Sequence, residues 1–131
     1  MKQTFNKDER LKSRTLIGNL FKDGLTIHQY PFKVLYKIDE GVDFKYPAKI
    51  AVSVSKRNFK RAVDRNRLKR KIREAYRLNK LDLYNLLNQT NEKIYFFVIY
   101  TTTQEISYQE IELGMEKLIL RLIDKLTENK T

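Results

Sequence analysis

A dense run of basic residues between positions 56 and 77 is the stretch whose residue types and spacing point most clearly to a chemistry. Lys or Arg occupies positions 56, 57, 60, 61, 65, 67, 69, 70, 71 and 73, and Asp64 is the only acid from 56 to 73. At about 100° per residue, the second half divides into two stripes on nearly opposite faces of a helix. The core-facing stripe consists of Leu68, Ile72, Ala75 and Asn79, and the polar stripe of Asn66, Arg70, Arg73 and Arg77.

The polar stripe favours a polyanionic partner over a merely solvated surface. A solvated helix face usually mixes charge signs, because like charges at i, i+4 repel one another. Glu74 is the only acid near the three arginines of the stripe. Guanidinium groups are planar and suit bidentate phosphate contacts and stacking on bases. The sequence therefore predicts that this helix binds nucleic acid.

The composition of the whole chain points to the same class of partner. The 131 residues contain 27 basic and 16 acidic side chains, which gives a net charge of +11. There is no cysteine, which excludes disulfides and thiol chemistry, and 41% of the residues are hydrophobic, as in a globular protein. No signal sequence or membrane-spanning run is visible, so we expect a cytoplasmic location and no membrane partner.

Residues that could perform catalysis are not grouped in the sequence. The single histidine, His28, has no cysteine, second histidine or clear carboxylate partner, and we interpret it as a structural or surface residue just ahead of a strand. The four glycines are isolated, so no phosphate-binding loop is present. The acid pairs Asp8–Glu9 and Asp39–Glu40 lie in predicted turns or termini. We therefore expect no catalytic residue and no metal site on this chain alone.

Periodicity and capping signals predict the elements that position the basic run. Ser13 is a suitable N-cap for a short helix at 14–23, which Gly24 would end in the left-handed conformation. Period-two alternation predicts strands at Tyr30–Ile38 and 49–55. The apolar run Ile94–Tyr100 predicts a central strand buried on both faces.

Helices account for most of the remaining chain. The basic helix is expected to reach about residue 80, and 82–90 is either a helical extension or a loop. Ser107 and Glu110 form a capping-box signature at the start of a long amphipathic helix. A polar lead-in at about 1–12, a polar turn at Gly41–Pro47 and a frayed tail at about 128–131 complete a single domain. The element order predicts an α/β sandwich that contains a β-α-β unit.

Several short motifs around the basic run form a specific combination. Ser53-Val-Ser-Lys-Arg57 is followed by Ala62-Val63, by Arg65-Asn66-Arg67-Leu68-Lys69-Arg70 and by Ile72-Arg73-Glu74. Upstream of them stand Arg10-Leu11-Lys12, Leu20-Phe21-Lys22-Asp23-Gly24 and Val34-Leu35-Tyr36. Over roughly residues 9–123, this pattern resembles the bacterial ribonuclease P protein component, and the Arg-Asn-Arg block is its most specific part.

The resemblance implies a fold beyond what periodicity alone predicts. That fold is a two-layer α+β sandwich with a mixed four-stranded sheet and a left-handed β-α-β crossover. It is similar to the second domain of a ribosomal protein and to a domain of elongation factor G. A fourth, short strand is then expected near Leu25–His28.

The resemblance also implies a role. The protein would be the subunit of a ribonucleoprotein endonuclease that removes the 5′ leader of precursor tRNA, as a monomer in a 1:1 complex with the catalytic RNA. The RNA would hold the Mg²⁺ ions and perform the hydrolysis. The protein would bind that RNA and the leader.

Site residues follow from the resemblance position by position, together with the polar stripe. The expected RNA-subunit contacts are Arg65, Asn66, Arg67, Lys69, Arg70, Arg73 and Arg77, and Asn66 is also a candidate for outer-sphere contact with a metal ion. The expected leader-binding cleft consists of Ile17, Phe21, Tyr36, Ser53, Ser55, Lys56 and Arg57. Ile17 stands where the family often has Phe, and it cannot stack as an aromatic ring does.

Other interpretations of the basic surface stay open at this level. A ribosomal-type protein or RNA chaperone of similar fold would bind structured RNA without a role in cleavage. A sequence-reading DNA-binding protein would need base-reading side chains and usually a dimer contact. A membrane-surface helix is disfavoured because the face opposite the basic one is a narrow core stripe without Trp.

Overall fold

The fold is seen in a computed structural model that describes residue 5, residues 7–39 and residues 46–128. The first half contains a 3-10 helix (Lys7–Glu9), α1 (Arg14–Asp23), β1 (Leu25–Gln29), β2 (Phe32–Asp39) and β3 (Ala48–Val54). The second half contains α2 (Ala62–Asn79), α3 (Leu81–Thr90), β4 (Lys93–Tyr100) and α4 (Tyr108–Glu128). No helix in this part of the chain is long and apolar enough to cross a membrane.

The four strands form one mixed sheet in the order β1-β2-β4-β3. β1 pairs with β2 and β2 with β4 in antiparallel fashion, whereas β3 and β4 are parallel and are joined through α2 and α3. The predicted mixed four-stranded sheet with packed helices is therefore confirmed, and β1 is the short strand that the resemblance implied. The left-handedness of the β3–β4 crossover stays a prediction.

The sheet has two different faces. We call the face covered by α2, α3 and α4 the closed face, and the opposite one, on which α1 lies, the open face. On β4, Phe96 points to the closed face and is paired with Tyr36 of β2 and Ile50 of β3. Phe97 points to the open face, since successive strand residues alternate. The predicted central strand is confirmed, but Phe97 and Ile99 are only half-buried.

The closed face carries the larger hydrophobic core. Leu68, Ile72 and Ala75 of α2 are fully buried in it, as the predicted stripe requires, together with the long apolar face of α4. Gly114 lets α4 approach the β1–β2 turn closely. A Cβ atom at that position would lie 2.5 Å from the Cδ of Pro31.

α1 covers only part of the open face. Ser13 caps it as predicted, because its Oγ accepts a hydrogen bond from the Leu16 amide at 3.2 Å. Gly24 ends the helix with φ −70°, so the predicted left-handed conformation there is wrong. Leu20 of α1 packs with Leu35 in a smaller hydrophobic cluster.

A buried ion pair anchors Glu9, which lies in the predicted polar lead-in. Glu9 has no exposed surface, and its Oε1 accepts hydrogen bonds from Lys80 Nζ at 2.5 Å and from the Tyr84 hydroxyl at 2.6 Å. Phe5 packs edge-on against Tyr76 with ring centroids 5.9 Å apart. Phe5 and the 3-10 helix are thereby fixed where α2 meets α3.

The remaining element predictions have mixed outcomes. The region 82–90 is helical, as α3, and α2 ends at Asn79, one residue before the predicted end. Ser107 caps α4, since its Oγ accepts from the Glu110 amide at 3.2 Å. Most of the predicted turn Gly41–Pro47 and the last three residues of the predicted tail lie outside the described residues.

Candidate nucleic-acid interface

The turn between β3 and α2 presents cations on a fixed backbone. The Oγ of Ser55 accepts from the Arg57 amide at 3.0 Å, and the carbonyl of Ser55 accepts from the Phe59 amide at 3.0 Å. Arg65 reaches back from α2, and its Nη1 donates to the carbonyls of Phe59 (2.8 Å) and Lys60 (2.9 Å). The turn is held at both ends, so the exposed cations at 56, 57 and 60 project from a defined backbone.

Arg67 is bound by two carboxylates. Its Nε donates to the Glu105 carboxylate at 2.9 Å, and its Nη2 donates to Glu105 and to Asp64, both at 2.8 Å. Lys71 Nζ also donates to Glu105, at 2.9 Å. Hydrogen bonds from Arg67 and then from Lys71 lower the pKa of Glu105 to about 2. Two cations and two anions make this cluster locally neutral.

The polar stripe of α2 is less uniform than the sequence predicts. Asn66 and Arg70 are exposed, and Arg70 has no ion pair or hydrogen bond in the described part of the chain. Lys69 is half-buried beside them. Arg77, however, pairs with Glu74, with Nη2 2.5 Å from Oε1 and Nε 3.0 Å from Oε2. The predicted uncompensated stripe is therefore wrong at Arg77 and correct at Arg70.

A basic groove runs along the outer edge of β3, the edge that does not pair with β4. The amide of Leu11 donates to the Ile50 carbonyl at 2.8 Å, so the N-terminal segment lies against this edge. Arg10 and Arg73 line the groove together with Lys12. Burial, and then repulsion by Arg10, lower the pKa of Arg73. Two guanidinium groups that repel each other at a groove favour binding of an anion between them.

The open face of the sheet presents an aromatic and polar floor next to this groove. The ring of Phe21, 59% exposed, stands edge-on to Phe97 with centroids 5.3 Å apart and an interplanar angle of 66°. Beyond Phe97, Ser53, Ile99 and Lys33 are paired side by side across three strands. This floor offers ring faces for stacking, a hydroxyl group and an exposed ammonium group.

The structure contradicts the expectation that Tyr36 lines the same cleft as Phe21. Tyr36 is 3% exposed and belongs to the core of the closed face. The period of two in β2 instead places Leu35 and Lys37 on the open face. Lys37 Nζ donates to Asp23, at the end of α1, at 2.9 Å. Burial raises the pKa of the Tyr36 hydroxyl, as expected for a core position.

The other six predicted cleft residues fall into two groups, three on the open face of the sheet or on α1 against it, and three in the turn that follows β3. Ile17 is half-buried and packs against the smaller hydrophobic cluster, so it helps to hold α1 against the sheet. Phe21 and Ser53 are on the face itself. Beyond the end of β3, the turn carries Ser55, Lys56 and Arg57.

Sequence reasoning missed three residues of the floor: Lys33, Phe97 and Ile99. Lys33 alternates with the core-facing residues of β2, so the period of two in that strand is the signal that could have found it. Every residue in the run 94–100 is apolar or aromatic, so alternation gave no signal for Phe97 and Ile99. Only the pairing of β4 with β2 and β3 shows that Phe97 and Ile99 face the open side of the sheet.

His28 and the acids offer no catalytic set in the described residues. His28 is exposed within β1, rather than ahead of a strand, and its carbonyl accepts from Arg121. Within 5, 7–39 and 46–128, no three His, Asp or Glu side chains are grouped so as to hold a metal ion. Asp64, Glu74 and Glu105 are each engaged by a basic side chain. These residues do not fit a Mg²⁺ site, and we assign no reaction step to a metal bound by the protein.

A mixed sheet with one aromatic open face beside a basic helix defines an RNA-binding α+β protein. The family model for Ribonuclease P matches residues 5–123. The ribonuclease P protein component of Porphyromonas gingivalis is 35% identical over 119 residues, which cover 89% of this chain and 85% of that protein. The one from Chlorobium phaeobacteroides is 39% identical over 88 residues, or 66% of this chain and 60% of that one. The chain belongs to the ribonuclease P protein family.

Solved structures show the same fold. The Staphylococcus aureus RNase P protein superposes with a TM-score of 0.68 at 22% identity, covering 88% of this chain and 94% of that one. The Thermotoga maritima RNase P protein gives a TM-score of 0.65 at 24% identity, with 86% and 96% covered. Membership of the ribonuclease P protein family, rather than the shared fold, gives the chain the role of a ribonuclease P protein subunit: it takes part in an endoribonuclease complex that processes tRNA, and it associates with the ribonuclease P RNA.

Proposed function

We propose that α2 and its preceding turn bind the RNA subunit, while the open face of the sheet binds the single-stranded 5′ leader of precursor tRNA. The observation that carries this proposal is the exposed Phe21 ring beside Phe97, on a floor next to the basic groove of β3. A single strand binds through two kinds of group: aromatic ring faces, on which its bases stack, and cations, which contact its phosphates. A double helix could not use ring faces in this way.

The α2 surface suits the backbone of a folded RNA. Arg70, Lys69 and Asn66 lie on one side of the helix, and the cations of the preceding turn extend the same basic surface. Each phosphate that such cations neutralise releases counterions, so affinity should fall steeply with salt. Arg65 and Arg67 contribute differently, since both hold neighbouring backbone or side chains in place.

We assign the hydrolysis to the RNA subunit and to Mg²⁺ ions that it holds. The protein's part is to fix the leader and to neutralise phosphates where RNA and substrate meet, which lowers the Mg²⁺ concentration that the reaction needs. One copy of the protein in a 1:1 complex is sufficient, because both surfaces belong to the same chain. We place the complex in the cytoplasm, together with its substrate.

Cleavage of a precursor tRNA at low Mg²⁺ tests this proposal. The three arms are the protein alone, a bacterial ribonuclease P RNA alone, and both together. We expect 5′ cleavage only in the mixture. Cleavage by the protein alone would contradict the assignment of the chemistry to the RNA. RNA binding without stimulation of cleavage would instead favour a ribosomal-type or chaperone protein.

A further inference from the structure

A carboxylate at the centre of the basic surface holds two of its cations. Glu105 lies in the loop between β4 and α4, and it bridges Arg67 and Lys71, one turn apart on α2. The side chains of Arg67, Lys71 and Glu105 are 41%, 29% and 24% exposed, so the cluster lies at the surface. Lys71 was not among the predicted RNA contacts.

The loop that carries Glu105 is tied to the core on both sides of that residue. The hydroxyl of Tyr100, a residue that is 1% exposed, donates to the Gln104 carbonyl at 2.7 Å. The same hydroxyl accepts from the Ile106 amide at 3.2 Å. Glu105 therefore stands between two backbone groups anchored to one buried side chain. The backbone from which its carboxylate extends toward α2 is therefore fixed.

The ion pairs leave donors of both cations free. Arg67 uses Nε and Nη2, and its Nη1 has no hydrogen-bond partner in the described part of the chain. Lys71 uses one of the three protons on its ammonium group. Both side chains are thus held in one geometry while several N–H groups still face solvent. Fixing such side chains before binding removes an entropic cost from association.

We propose that Glu105 is a positioning residue that holds Arg67 and Lys71 ready to contact RNA phosphates, which adds Lys71 to the RNA-binding surface. This inference rests on the proposed function of α2. It makes a prediction opposite in sign to simple electrostatics. Removing a carboxylate from a basic surface should tighten RNA binding if only net charge mattered. It should weaken binding if the carboxylate fixes the geometry of the cations.

The test compares Glu105→Gln with Glu116→Gln, which makes the same charge change on α4. Glu116 is exposed and has no ion pair or hydrogen bond within the described residues, so it is a matched control. Affinity for ribonuclease P RNA is measured across a salt series. We expect Glu105→Gln to bind about two- to tenfold more weakly, because one or two side chains would then have to be ordered during binding. The salt slope should fall by roughly one phosphate contact. Glu116→Gln should bind as the unchanged protein does, or slightly tighter.

A second background separates positioning from damage to the loop. In a chain that already carries Arg67→Ala and Lys71→Ala, adding Glu105→Gln should no longer weaken binding, since the positioned groups are gone. The same weakening in that background, or tighter or unchanged binding of Glu105→Gln alone, would overturn the inference. Failure of the unchanged protein to bind the RNA would overturn the proposed function as well. Normal binding with an unaffected Glu105→Gln would overturn this inference alone.

Discussion

Two adjacent phenylalanines show how differently the two faces of the sheet are used. Phe96 has no exposed surface and packs among α2, α3 and α4 on the closed face. Phe97 is half-buried on the open face, where the exposed ring of Phe21 meets it edge-on. One backbone step therefore separates a residue that stabilises the fold from a residue available to a ligand. A small domain with a single sheet can use one face for stability and leave the other for binding.

The largest expected effect comes from exchanging each of these two phenylalanines for alanine. Phe96→Ala leaves a cavity in the closed core and should cost about 3–5 kcal/mol of unfolding free energy. Phe97→Ala should cost on the order of 1 kcal/mol, because the site is half open. Urea unfolding of both variants measures the contrast. Equal losses would mean that the two faces are equally important for stability.

An effect of intermediate size on stability is expected from two glycines, Gly114 in α4 on the closed face and Gly18 in α1 on the open face. In Gly114→Ala, the new Cβ would meet Pro31 Cδ at 2.5 Å and the Tyr30 carbonyl at 2.7 Å, so α4 must shift. We expect a loss of about 1–3 kcal/mol despite the better helix propensity of alanine. In α1, Gly18 has no atom within 4 Å of such a Cβ, so Gly18→Ala should stabilise the protein by about 0.5–1 kcal/mol. Thermal midpoints that move in the same direction would contradict this account.

The smallest expected effect is on how the stability of the fold changes with acid, through the ion pairs of Glu105 with α2. The pKa of Glu105 is lowered from 4.5 to about 2, so its carboxylate stabilises the fold above about pH 5. That contribution is lost as the pH falls from there toward 2. Glu105→Gln lacks it, and its urea midpoint should decline less steeply with acid than that of the unchanged protein. Glu116→Gln serves as the control, and a parallel decline for Glu105→Gln would show that the ion pair adds no stability.

Local patterns predict most of the elements, because caps and periodicity are local signals. Ser13, Ser107 and the alternation in β2 and β3 lead to helices and strands that the structure contains. Alternation does not reveal which face of a strand a given helix covers. The family resemblance, rather than alternation, placed Tyr36 beside Phe21, although Tyr36 lies on the opposite face of the sheet.

Contacts between distant parts of the chain could not be predicted in this way. Glu9 and Lys80 are 71 residues apart, and neither has a local signal that marks a buried ion pair. Arg67 and Glu105 are 38 residues apart, so the basic run alone gave no sign of their ion pair. The sequence locates the basic residues that we propose as binding residues, whereas their pairing with distant acids depends on tertiary structure. The polar stripe was predicted too broadly for a local reason, since Arg77 pairs with Glu74 only three residues away.

The most direct test of the open face compares precursor tRNA with mature tRNA as ligands of the reconstituted complex. Phe21→Ala is compared with Tyr30→Ala, since both rings are 59% exposed but Tyr30 lies in the β1–β2 turn. We predict that Phe21→Ala weakens precursor binding by about 1–3 kcal/mol and leaves mature tRNA binding unchanged, because one base loses its stacking partner. Tyr30→Ala should change neither. An unchanged preference for the precursor in Phe21→Ala would contradict the claim that the open face holds the leader.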